Sequence, residues 1–411
     1  MMNYKSFLIE SKNTHMEHIE DLIFNEGVSG ARTAINFLQD LRNMLAGHAP
    51  SAKNITVKWD GAPAIFAGID PSDDKFFIAK KGLFNIKPVM YKSQDDINND
   101  NRLASELKKK FKIAFNEFSK LGIKSGVYQG DLMFTTGDVK VEDIENETYY
   151  TFQPNTIVYA IPVKSQLGKI IHKAKIGVVW HTTYTGENIR NMKASFGKNI
   201  TKNFKKVRSI WMDDATYKDE SGTVNFTKDE TTKITEILSK AGIIFKKISS
   251  DILQTISSNE ELKIRIKTYN NTYVREGNPF PNPNKHVHGL FNYITDYYDE
   301  EIKSKNTPVG KQNVMKKKKE AMIIFQNPND LINIFEFMNY IIQAKSMIVN
   351  KLNMASKLNM NTFLRTSNGF KATSQEGFVA IDDIKGVVKL VDRLEFSRAN
   401  FSANVIKGWK K

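Results

Sequence analysis

The sequence predicts an α+β fold in which helical segments flank and interrupt a β-rich core. Three observations carry that expectation. Ile35, Leu38, Leu41 and Leu45 recur at helical spacing near the start of the chain. Short β-branched and aromatic runs separated by turn residues fill residues 54–179. Long amphipathic segments follow to about residue 360, after which strand composition returns. The implied order is a helical segment at 1–50, a β-rich block at 51–200, a helical insertion at 201–365 and closing strands at 366–411.

The first helix is expected to stop at Gly47, a residue suited to the left-handed position after a helix end. NITVKW, KFFIAKK, GVYQGDLMF, TIVYAIPV and KIGVVWHTTY read as strands, with the charged stretch RLASELKKKFKIAFNEFSKL as a helix among them. In LINIFEFMNYIIQAKSMIVNKL, polar Asn333, Glu336, Asn339 and Gln343 recur at three- and four-residue steps. They mark one thin polar stripe on a mostly buried helix. GNPFPNPNKHVHG, with three prolines, reads as a loop, and KATSQEGFVAIDDIKGVVKLVDRLEF reads as strand. No internal repeat of fixed period is visible.

Composition narrows the function. The 411 residues contain no cysteine, which excludes disulfides, thiolate metal sites, iron–sulfur clusters and Cys nucleophiles. No apolar run is long enough to span a membrane and the N-terminus does not read as a secretory signal, so a cytoplasmic protein is expected. Lys and Arg total 60 against 45 acidic residues, a net charge of +15, which favours a polyanionic partner, most simply nucleic acid. Of the 60, 50 are Lys and 10 are Arg. Lysine tracks phosphate as a point charge, whereas arginine is the better reader of base edges, so backbone contact without sequence readout is expected. An AT-rich genome also inflates lysine, so the count alone does not decide the partner.

The sharpest motif is Lys58-Trp59-Asp60-Gly61, at the end of a strand and followed by Ala62-Pro63-Ala64. K-x-D-G resembles the nucleophile motif of the covalent nucleotidyltransferases: ATP-dependent DNA ligases, RNA ligases and mRNA capping enzymes. In that family the lysine amine attacks the α-phosphate of a nucleotide. Neighbouring cations and a bound metal are expected to bring its pKa toward neutrality. Other segments resemble further motifs of the family in the expected order. Phe77-Ile78-Ala79-Lys80-Lys81-Gly82 is similar to the basic element after the nucleophile, with Lys81 a phosphate-binding cation. Tyr128-Gln129-Gly130-Asp131-Leu132 is similar to the third motif, with Asp131 where glutamate is usual. Ile157-Val158-Tyr159-Ala160-Ile161-Pro162 resembles the strand that encloses the purine, with Tyr159 as its aromatic and no acidic residue at its end. Glu376-Gly377-Phe378-Val379 resembles the fourth motif, whose carboxylate holds metal, and Val387-Val388-Lys389-Leu390 the fifth, whose lysine reaches the α-phosphate. Val391 stands where a second lysine is common.

This resemblance covers residues ~54–165 and ~374–395. It implies an ATP-grasp-like ligase adenylation core of two packed antiparallel sheets. It also implies Lys58, Asp60 and Lys389 as catalytic residues, and Lys58, Gly61, Lys81, Asp131, Tyr159, Glu376 and Lys389 as nucleotide contacts. Glu376 and Asp131 would be the metal ligands, and ATP and Mg²⁺ the cofactors. The activity implied is sealing of 5′-phosphate and 3′-hydroxyl ends, with nicked DNA narrowly ahead of RNA. About twenty residues follow Lys389, too few for the small β-barrel common in DNA ligases and capping enzymes. That weakens the capping reading most. A non-catalytic nucleic-acid binder with a degenerate core is the remaining alternative. As a whole the chain also resembles proteins of unassigned function from marine tailed phages, for which the compartment is the host cytoplasm.

Other features carry less. His286-Val287-His288 lacks a third metal ligand at useful spacing and reads as a loop or cap. Lys316-Lys317-Lys318-Lys319 fits a solvated helix face as well as a phosphate site. Trp180-His181-Thr182-Thr183-Tyr184 reads as a strand end that could line a nucleotide pocket. A P-loop is absent.

Overall fold

The computed structural model describes residues 17–47, 54–197, 199–216, 225–355, 360–382, 386–402 and 404–408. Helix α1 (Leu22–Leu45) buries Leu38, Leu41 and Leu45 as their spacing predicts, together with Phe24 and Phe37. Gly47 follows with φ +74°, a conformation that glycine adopts without a Cβ clash. The β-rich block then supplies β1 (Asn54–Lys58), β2 (Ala64–Ile69), β3 (Phe76–Ala79) and β4 (Met90–Tyr91). After α2 (Gln94–Asn99) and α3 (Ser105–Phe118) come β5 (Val127–Thr135), β6 (Lys140–Ile144), β7 (Glu147–Phe152) and β8 (Ile157–Pro162). The short α4 (Gln166–Ile171) leads to β9 (Ile176–Thr185), β10 (Lys193–Phe196) and β11 (Ile210–Asp214).

Helices α5 (Lys228–Phe245), α6 (Ser250–Ser258), α7 (Glu260–Glu276), α8 (Pro283–Ser304), α9 (Pro308–Met322) and α10 (Pro328–Ala355) form the insertion. Strands β12 (Asn361–Thr366), β13 (Gly369–Ala372), β14 (Gly377–Asp382) and β15 (Gly386–Leu390), then α11 (Arg398–Phe401), complete the described order. The helical stretch is therefore 228–355: strand pairing continues to Asp214 and resumes at Asn361. Helix α1 packs against α5, α6 and α10, so it belongs to the helical layer and is not a separate segment.

Three sheets form where two were expected. β1, β14 and β15 make a three-stranded antiparallel sheet. The seven-stranded sheet runs β10-β9-β5-β2-β3-β4, with β11 added to β9 in parallel. The five-stranded sheet runs β13-β12-β8-β7-β6. β6, β7 and β8 pair among themselves apart from the large sheet, and the chain leaving the helical layer extends them by laying β12 against β8 before reaching β14. One face of the large sheet packs Ile65, Leu132 and Trp180 on Phe111 and Phe118 of α3. Its other face carries Met133, Phe134 and Val179 into a core shared with the five-stranded sheet and the helices. Each such side chain contributes about 1.5–3 kcal/mol by leaving water, so these cores fix the sheets on either side of the site.

Two local expectations change. Only residues 277–282 of the proline-rich segment form a loop, because Pro283 sits in the first turn of α8 behind the Asn282 cap. A proline there lacks only an amide that the helix leaves unpaired anyway. The segment after β15 is not strand: Asp392 accepts from the Leu394 and Glu395 amides and starts a π-helical turn over Arg393–Ser397. Among the described residues no helix is long and apolar enough to cross a membrane.

Candidate active site

The K-W-D-G segment is a crossing point between sheets. β1 pairs with β14, whereas β2, six residues after Lys58, pairs with β3 and β5. In the small sheet Lys58 lies opposite Gly377, and Val379 lies opposite both Thr56 and Lys389. Opposite residues share a face, as do residues two apart, so Lys58 and Lys389 project from the same face. Val57, Phe378 and Leu390 take the other face and are buried. Gly377 has φ +144°, and a Cβ there would stand 2.6 Å from the Leu390 carbonyl oxygen. Its absence lets β14 close on β15 and brings Glu376 beside the nucleophile candidate. Lys58 Nζ lies 2.5 Å from Glu376 Oε2, a pair with 22% and 13% of its side chains exposed.

The large sheet supplies the opposite wall. Asp131 on β5 lies across from Ala64 and Val179. The β5–β9 register slips between Gln129, opposite Thr182, and Gly130, opposite Trp180, which makes His181 the extra residue of a bulge. A bulge re-aims a side chain, and here His181 Nε2 comes to 3.9 Å from Asp131 Oδ1. Burial pushes the Asp131 carboxyl up to about 7, against the pull of Lys58. Burial, aided by Lys58, brings His181 down to about 4, so its imidazole is neutral at pH 7.

The two lysines differ. Burial favours a neutral Lys58, but the carboxylates of Glu376, Asp131 and Asp60 outweigh it and hold the ammonium above its ordinary pKa. The nucleophile candidate is thus charged and paired, contrary to the expectation that nearby cations lower it. Lys389 is the lysine brought down, by burial first and then by Lys58, with Lys81 adding to the effect. Its backbone amide donates to the Glu17 carbonyl at 2.9 Å. Lys81 begins the 3-10 turn Lys81–Phe84 after β3 and acts electrostatically on both Asp131 and Lys389.

This geometry draws on segments spread over most of the chain, and one comparison covers the same span. A family of unknown function, DUF6267, matches residues 13–405. The chain belongs to DUF6267. No curated protein and no solved structure matches it.

Two expected site residues take other roles in this DUF6267 chain. Asp60 is 6% exposed and its carboxylate is fully engaged. Oδ1 accepts from Asn155 Nδ2 at 2.8 Å, and Oδ2 accepts from the Thr156 and Ile157 amides at 2.7 Å each. It fastens the motif to the start of β8. Tyr159 is 1% exposed, stacked between Trp59 and Phe152, and its hydroxyl accepts from the Asp60 amide at 2.8 Å. No face of its ring is open to a purine; it braces the motif from behind. His286 is also in the core, its Nε2 2.8 Å from Asn270 Oδ1, on helix α8 rather than in a loop. In the lysine run on α9, Lys317 pairs with Glu261 and Lys318 with Asp299. His181 belongs to the strand end that could line a nucleotide pocket, whereas no motif in the sequence marks Asn155.

The donor set bears on a metal. Among the described residues no group of three or more His, Asp or Glu is gathered as a ready-made ligand set. Magnesium, however, commonly takes one or two carboxylates and completes its shell with phosphate and water. Glu376 and Asp131, both acting on Lys58, fit a metal that arrives with a nucleotide. Gly61 sets the spacing of this wall, because a Cβ there would lie 2.5 Å from Asp131 Cβ and 2.9 Å from Met133 Sδ. Gly61→Ala is expected to cost about 1–3 kcal/mol in denaturant unfolding by overpacking. Gly242→Ala, with open space around it in α5, should be neutral or stabilising. Equal stability of Gly61→Ala and wild type would show that the contact is slack.

Proposed function

We propose that this chain is an ATP-dependent polynucleotide ligase that works through AMP carried on Lys58, with nicked DNA its first substrate and RNA ends the nearest alternative. The observation that supports this reading most is the Lys58–Glu376 contact at 2.5 Å, with Lys389 on the same sheet face and Asp131 on the facing wall. Residues picked from separate short motifs, up to 331 positions apart, share one electrostatic neighbourhood. Unrelated chance matches have no reason to converge.

Each group has a task in the transfer. Lys58 must first give up a proton, and Glu376 Oε2 is in contact with its ammonium. The Nζ lone pair then forms a bond to the α-phosphorus as the bond to pyrophosphate breaks. Lys389 and Lys81 place positive charge where phosphate oxygens gain negative charge. Asp60 and Tyr159 hold the loop so that Lys58 keeps its approach. Magnesium, when bound, would neutralise phosphate oxygens and the leaving group. AMP then passes to a 5′-phosphate, and the 3′-hydroxyl displaces it.

The net charge of +15 and the shortage of arginine support recognition of the phosphate backbone. If ~6 phosphates are neutralised, affinity for a nicked duplex should fall about a thousandfold between roughly 50 and 200 mM salt. The test is one labelled nicked duplex, with DNA or RNA as the strand to be sealed, incubated with ATP and Mg²⁺ across that range. Sealing of the DNA nick is expected. Sealing of RNA alone moves the assignment to RNA ligase, and salt-sensitive binding without sealing on either substrate overturns it in favour of a non-catalytic binder.

A further inference from the structure

The positive charge of the chain is not spread evenly. In the helical layer lysines come with carboxylates: Lys303 pairs with Glu300, Lys317 with Glu261, Lys318 with Asp299 and Lys351 with Glu230. One end of the large sheet is different. Three segments meet there: residues 119–124 after α3, residues 173–175 before β9 and residues 202–209 before β11. They bring together Lys120, Lys124, Lys175, Lys205, Lys206 and Arg208, all exposed, and contain no acidic residue. Glu117, in the last turn of α3, is buried and pairs with Lys120 at 2.7 Å. Asp138, in the turn after β5, is held by Lys110. Among the described residues the other five cations form no ion pair.

The backbone fixes these segments side by side. The Lys205 amide donates to the Leu121 carbonyl at 2.8 Å, and the Lys175 amide to the Ser209 carbonyl at 2.7 Å. The Ser209 hydroxyl donates to Glu117 Oε2 at 2.5 Å. β9 and β11 run parallel with Ile176 opposite Ile210, so their basic approaches enter from the same end. Gly122 has φ +72°, and a Cβ there would stand 2.9 Å from Lys205 Cε, so the lysine stem lies along the glycine. A stem packed in this way leaves its ammonium for water or for an anion. Backbone bonds thus hold together like charges that repel one another, a surplus that a polyanion neutralises.

The kind of polyanion follows from what the surface lacks. Proteins that hold single strands stack the bases on exposed rings. The one Phe, Tyr or Trp in the three segments, Phe204, is buried against Tyr128 and Trp180. No large apolar residue in them is exposed for insertion into a lipid surface. What remains is a row of point charges suited to phosphates whose bases are paired away. The place also matters. Asp131 lies opposite Val179, and Lys175 precedes the Ile176–Thr135 pair, four residues along β9. That is about 13 Å, or about four nucleotide steps along one strand of a duplex.

We propose that this end of the large sheet seats a nucleic-acid duplex, gripping its phosphate backbone without reading sequence. The grip stands on the charge and geometry of the surface; that the seated duplex presents its nick to Lys58 rests on the ligase reading.

The test titrates the full chain with a short, fluorescently labelled duplex without a nick, by anisotropy at several salt concentrations. Lys124→Gln, Lys206→Gln and Arg208→Gln are combined, since all three are exposed and unpaired. Lys246→Gln, Lys316→Gln and Lys319→Gln, exposed in the helical layer, form a control with the same change of net charge. The first variant should bind at least ~10-fold more weakly, and its slope of log affinity against log salt should be shallower by about 2 to 3. The control should bind as wild type does. Lys206→Glu alone, with a loss in the same direction, serves if the triple variant does not fold. Equal losses in the two triple variants would show that net charge alone draws the duplex and would overturn the proposal. So would a wild type that binds no duplex, or that prefers a single strand or phosphatidylserine vesicles to it. Duplex binding that depends on these residues, in a chain that takes up no label from α-labelled ATP, keeps this surface and sinks the ligase reading. Label on the chain with duplex binding indifferent to them does the reverse.

Discussion

Lys58→Ala should carry no label after incubation with α-labelled ATP and Mg²⁺ and denaturing electrophoresis, and it should seal no nick. The substitution removes the protein atom that bonds to phosphorus in the proposed transfer. Its effect on folding should be small, because Lys58 sits at the end of a strand and keeps 22% of its side chain in solvent. Lys58→Arg is the sharper control. Guanidinium can keep the contact with Glu376 but does not deprotonate at working pH, so this variant should be folded and equally silent. Label on either variant at wild-type level would remove Lys58 from the mechanism.

Glu376→Ala and Lys389→Ala are each expected to lower the rate of labelling by at least ~100-fold, since each removes charge arranged around the α-phosphate. The pH profiles should separate their roles. Glu376 stabilises the charged form of Lys58, so Glu376→Gln should shift the rising limb of the rate to lower pH while lowering its plateau. Lys389 disfavours a second ammonium nearby; its loss should move the limb to higher pH. Near-normal rates in both alanine variants would show that β14 and β15 do not serve the site.

Much of this arrangement was readable in the sequence because it is local. The leucines of α1, the polar stripe of α10 and the strands bearing Lys58, Asp131 and Lys389 follow from periodicities that a short window records. What escaped depends on partners far along the chain. The role of Asp60 is set by three donors at 155–157, and nothing in K-W-D-G announces a clamp. His181 reaches the site only because β9 slips one residue against β5. Tyr159 lies on the strand that was expected, with its ring in the core, because stacking against Trp59 and Phe152 decides its direction. Prolines misled for a related reason: Pro283 breaks nothing at the first turn of a helix.

The family match spans residues 13–405 and so takes in the small sheet, the large sheet and the helical layer. The candidate active site lies on the first two. Arg393 follows Lys389 by four positions, so the candidate catalytic strand runs directly into the turn that borders the helical layer.

The most direct measurement is peptide mapping of wild-type protein after incubation with α-labelled ATP and Mg²⁺. One AMP per chain on the amine of Lys58, released as labelled AMP when a 5′-phosphorylated nicked duplex is added, is the predicted result. An unlabelled chain, or label on another residue while Lys58 is recovered unmodified, would contradict it.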